Sequence, residues 1–90
     1  MTRLKMLENQ HRLCNAITVY PQTMTVDRLA SVMGTSVQSI RGMILKMTNR
    51  CLISEDEING KPCFFYPEDR DKARTLRYIQ ERIDTLRRQT

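Results

Sequence analysis

A single histidine, no glycine-rich phosphate loop and no carboxylate pair at a recognisable spacing leave this 90-residue chain without the usual carriers of acid–base, nucleophilic or phosphoryl chemistry. So short a chain also has too little material to wall off a substrate pocket, and no enzymatic activity is expected. No stretch approaches the roughly 18 apolar residues that a membrane span needs. Met1-Thr2-Arg3-Leu4-Lys5 leads into mixed polar sequence instead of an apolar signal core, so a cytoplasmic location and no membrane partner are expected. Three widely spaced cysteines, Cys14, Cys51 and Cys63, do not make a secreted disulfide framework, and reduced thiols are expected. His11 and Cys14 stand three apart, a spacing that permits two metal ligands, but no paired cysteine motif accompanies them. No metal and no cofactor are expected. Repeats, linkers and low-complexity tracts are absent as well.

What is present is an ordinary globular composition, 40% hydrophobic and 28% charged, with a net charge of +5. That charge is uneven. Residues 1–50 hold seven Lys or Arg against two acids, residues 51–67 one against three, and residues 68–90 seven against five. The first half is the electropositive half, which is compatible with a polyanionic partner.

Periodicity gives the organisation. Leu4, Leu7, Cys14 and Ile17, with His11 on the same stripe, predict an amphipathic helix over 3–19, ended by Pro21. Thr25 is a predicted N-cap, with Asp27 in the first turn of a short helix through Val26, Leu29, Ala30 and Met33 that Gly34 closes. Thr35-Ser36 opens a third helix, predicted over about 36–51, because Val37, Ile40, Ile44, Met47 and Cys51 recur at threes and fours. Asn59-Gly60 is a strong hairpin signal, and Cys63-Phe64-Phe65-Tyr66 is its bulky returning strand. Pro67-Glu68-Asp69 stops that strand and starts a last helix from Arg70 to Gln89. Its narrow seam, Leu76, Ile79, Ile83 and Leu86, is expected to pair two copies into a homodimer; the alternative is that it packs on the first helix. The expected architecture is mainly α with a small β-hairpin: a domain over 1–67, then a C-terminal helix over 68–90.

The segment from Leu29 to Ile53 carries the most information. Ala30 lets crossing helices approach, Gly34 can take positive φ in a tight turn, and Ile40 locks the following helix into the core. With Leu29, Ser36, Ile44, Met47 and Leu52-Ile53, these residues make the stretch 25–66 resemble the winged helix-turn-helix DNA-binding regulators, in particular the MarR-like group. Two departures stand out: Cys51 replaces the family's usual glycine, and the arm leading to the wing tip is acidic. The resemblance implies a three-helix bundle with a wing, whose third helix reads the major groove of double-stranded DNA as a small transcriptional regulator of bacterial or phage type.

At about 100° per residue, Gly42 falls opposite the apolar side of the third helix, with Gln38, Ser39, Leu45, Lys46 and Asn49 around it and Arg41 on the flank. Gln38 suits adenine and Arg41 guanine; Ser39 and Lys46 suit phosphates. Ser36 and the free N–H groups at the helix start suit one more phosphate. Lys61 is the only basic residue of the hairpin, whereas Glu55, Asp56 and Glu57 there would repel phosphates. That acidity favours an alternative from another class, a winged-helix module that binds a protein partner instead of DNA.

Overall fold

The structure, a computed structural model, describes residues 2–89. Its order is α1 (Arg3–Ala16), β1 (Met24–Thr25), α2 (Val26–Met33), α3 (Val37–Leu45), β2 (Ser54–Ile58), β3 (Lys61–Phe65) and α4 (Asp69–Arg88). Among the described residues four helices thus accompany a small antiparallel sheet of order β1-β3-β2. Among the described residues no helix is long and apolar enough to cross a membrane.

Local chemistry sets the starts of the helices. Thr2, Thr25 and Ser36 are N-caps whose hydroxyls accept from the N–H groups of Lys5 (3.1 Å), Arg28 (3.2 Å) and Ser39 (3.1 Å). Gly34 closes α2 in the left-handed conformation (φ 67°), and Thr35 N–H returns to Ala30 O at 3.0 Å. At the hairpin tip both Asn59 (φ 53°) and Gly60 (φ 77°) take positive φ, the geometry of a two-residue turn that matches strand twist.

Two helices end earlier than their periodicity predicts. α1 stops at Ala16 instead of residue 19, because the chain turns extended at Ile17 and pairs with the end of the hairpin. Tyr66 N–H donates to Thr18 O and Tyr20 N–H to Tyr66 O, both at 2.9 Å. α3 stops at Leu45 instead of residue 51. Its last turn tightens, with Lys46 and Met47 N–H donating three residues back to Met43 and Ile44, and the Thr48 hydroxyl then accepts from Arg50 N–H at 3.3 Å. The turn that follows still directs Met47 and Cys51 inward, so the apolar spacing outlasts the helix.

One core serves the whole chain. Leu13, Cys14, Ile17, Leu29, Ile40 and Tyr66 are fully buried in it, and Ile79 and Ile83 of α4 lie in the same cluster. The C-terminal helix thus shares the core of the elements before it. Its seam is used inside the chain: Ile79 and Ile83 are buried, Leu76 and Leu86 are packed at the edge of the core, and α1 with α4 forms the most extensive helix pairing. Within one chain the seam thus follows the alternative reading, packing on α1. Polar contacts reinforce the docking. Lys72 Nζ donates to Asn15 O and Ile17 O (2.9 Å each), satisfying carbonyls at the end of α1, and Arg87 pairs with Glu8 at 3.3 Å.

Candidate nucleic-acid interface

The outward side of α3 is the part of the molecule most clearly left without an internal role. Of the nine residues in α3, Ile40 alone is fully buried, anchoring the helix in the core that Leu29 and Ala30 of α2 also join; Val37, Met43 and Ile44 pack at the core's edge. Gln38, Ser39, Arg41, Leu45 and Lys46 are exposed, and Leu45 reaches 85% exposure, an unusual place for a leucine. The cap at Ser36 and the glycine turn at Gly34 fix the direction in which this side points. No ion pair among the described residues holds Arg41 or Lys46.

Gly42 lies at the middle of that side, half-buried in a shallow hollow of about 320 Å³ shared with Met6 and Asn9 of α1 and with Lys46. A methyl group built on Gly42 would meet nothing within 4 Å. Packing inside the chain therefore gives no reason for glycine at this position.

Comparison with protein-family models, curated proteins and solved structures finds no match. The geometry of the chain is thus the basis for reading its function.

Three of the residues expected at the interface stand differently in the structure. Asn49 is not on α3 at all; it lies in the turn beyond the helix and lines a cavity of about 510 Å³ with Met47, Cys51 and Leu52, because the backbone leaves helical geometry at Lys46. Lys61 is held by Asp27 of α2 at 3.4 Å, so the hairpin's only cation already faces a carboxylate, although both partners are exposed and such a pair is weak. The Ser36 hydroxyl is engaged twice, accepting from Ser39 N–H and donating to Ser39 Oγ at 2.9 Å, which makes it a cap first and a phosphate donor only by exchange. Gln38, Ser39, Arg41, Gly42 and Lys46 remain together on one side.

The hairpin is electrostatically opposite. Glu55, Asp56 and Glu57 are all exposed on β2, and Glu55 lines the groove between α3 and the hairpin opposite Arg41. Phe64 and Tyr66 are buried core residues, with Tyr66 Oη donating to Cys14 O at 3.0 Å.

Sequence reasoning missed one cluster. Arg3 of α1, Arg50 of the turn after α3 and Arg82 of α4 line a cleft of about 370 Å³ beside Tyr78. The Arg50 and Arg82 guanidinium carbons lie 5.6 and 5.7 Å from the centroid of the Tyr78 ring. No spacing rule joins residues 3, 50 and 82; only the docking of α4 on α1 brings them together.

The thiols divide sharply. Cys14 and Cys51 are neighbouring buried thiols. Cys51, at the wall of the 510 Å³ cavity, is lowered to about 6, first by the neighbouring Cys14 thiol, with further help from Thr48 and the Arg82 charge and against the effect of burial. Cys14 is pushed up by Cys51 and by burial, so it keeps its proton. Among the described residues no three His, Cys, Asp or Glu side chains are grouped to hold a metal ion.

Proposed function

We propose that the chain is a sequence-specific double-stranded DNA-binding protein, a small transcriptional regulator of winged helix-turn-helix architecture. In this reading α2 and α3 are the helix-turn-helix, β2 and β3 the wing, and α3 lies in the major groove. The observation that carries it is the uncovered side of α3, where Gln38, Arg41 and Lys46 stand exposed around Gly42 on a helix fixed by Ile40. A nine-residue helix is about 13.5 Å long, and the major groove is about 12 Å wide, so α3 can enter it end to end. Gln38 and Arg41 are the candidates for reading base edges, Leu45 offers an apolar contact to a thymine methyl, and Ser39 and Lys46 take phosphates. The acidic wing contributes little to holding DNA.

The acidic hairpin and the exposed Leu45 favour a second reading, a module that binds another protein. Titration against mixed-sequence duplex at several salt concentrations separates the two. DNA binding predicts affinity that falls steeply with salt, a log–log slope reduced by about 1 in Lys46→Ala, and recovery of a defined motif from random duplexes. Absent or salt-insensitive binding supports the second reading.

A further inference from the structure

The cleft between the first turns of α1 and the last turns of α4 concentrates cations that no ion pair among the described residues engages. Arg3, Arg50 and Arg82 come from three separate elements to line it, and none of them forms an ion pair among the described residues. Glu81 is the one acid at its wall, and it is exposed. Arg50 and Arg82 both approach Tyr78, which fixes two like charges around one ring. A guanidinium stacked on an aromatic ring keeps its N–H edge free, and that planar fork matches two oxygens of one phosphate.

The cleft and the hollow on the outward side of α3 both border α1. Arg3 and Leu7 line the cleft, while Met6 and Asn9, on the same helix, line the hollow beside Gly42 and Lys46. Lys46 and Arg50 are four positions apart, so their Cα atoms lie no more than about 14 Å from each other. That distance is comparable with the about 12 Å width of a major groove, so a strand bordering the groove that α3 enters can reach the cleft. The hairpin on the other flank of α3 presents Glu55, Asp56 and Glu57 and cannot serve this purpose.

We propose that the Arg3–Arg50–Arg82 cleft is a phosphate clamp that takes the DNA backbone on the α1–α4 side of α3, in place of the wing. The inference rests on the DNA-binding reading. It adds that the protein grips the duplex asymmetrically, through its first and last helices, with the hairpin standing clear.

The test uses the full chain. In Arg50→Gln/Arg82→Gln the log–log salt slope of duplex binding is expected to fall by about 2, because two phosphate contacts and their released counterions are lost. Affinity should fall equally for all sequences, leaving the selected motif unchanged. Arg82→Lys should keep most of the slope. Arg3→Gln, which does not disturb the Tyr78 stack, should lower the slope by about 1 and guards against a folding defect in the double variant. If the arginine variants keep the wild-type slope while Lys46→Ala lowers it, the clamp is wrong and the DNA reading stands. If the wild type binds no duplex, the DNA reading fails and the clamp on a DNA strand fails with it. Titration of inorganic phosphate, followed by NMR of the arginine Nε–H groups, then distinguishes a site for a free phosphate, with saturable shifts in Arg50 and Arg82, from no phosphate site at all.

Discussion

Gly42→Ala is expected to stabilise the fold and weaken DNA binding at the same time. Gly42 is the sixth residue of the nine in α3, and alanine in a helix interior is favoured over glycine by about 0.8–1.0 kcal/mol. The new methyl group would meet nothing within 4 Å, so no packing cost offsets that gain. For a domain of this length, a gain of about 1 kcal/mol raises Tm by roughly 4–8 °C, readily measured by thermal denaturation. On DNA the sign reverses. A methyl group at the centre of the reading side intrudes where a base edge or backbone approaches, and overpacking of about 1–3 kcal/mol corresponds to about a tenfold loss of affinity or more. Both measurements can refute the reasoning. A lower Tm would mean that Gly42 has an internal packing role, and a raised Tm with unchanged affinity would mean that Gly42 is not the point of closest approach.

Two other substitutions or conditions test the frame around the interface. Ile40→Ala is expected to cost about 2–5 kcal/mol in urea unfolding, because a fully buried aliphatic side chain anchors α3; a cost below about 1 kcal/mol would show that α3 is held elsewhere. The alkylation rate of Cys51 by iodoacetamide in the folded protein should rise with a midpoint near pH 6, against about 8.5 for an ordinary thiol. Since the folded value lies below the unfolded one, the stability contributed by this thiolate is complete above the ordinary thiol value and is lost as pH falls through about 6. A midpoint near 8.5 would mean that Cys14, Thr48 and Arg82 do not stabilise the Cys51 thiolate.

The legible parts of the fold are those governed by neighbours in sequence. Thr25, Ser36 and Gly34 act where their capping chemistry predicts, and Asn59-Gly60 makes the expected turn. Met24–Thr25 was not legible as a strand, because two residues acquire that role only by pairing with Phe64 and Cys63 about forty positions away. The ends of α1 and α3 were misjudged for the same reason: Tyr66 captures the backbone at Thr18 and Tyr20, and the turn around Thr48 keeps Met47 and Cys51 on the apolar side after the helix has ended. Within the interface, positions on α3 proper were legible from its period, whereas Asn49 depended on where the helix stopped and Lys61 on a contact with Asp27. The seam of α4 was visible as a seam. That it packs on α1 within the chain could not be read from a spacing that equally suits a second copy.

The bonds from Lys72 to the end of α1 and from Arg87 to Glu8 join residues 55 to 79 positions apart, so α1 finds its mate far along the chain. Such distant closures slow folding, and they leave an amphipathic segment waiting with its apolar stripe uncovered until α4 docks. Loss of the last three turns of α4 would therefore strand α1 as surely as it shortens α4 itself.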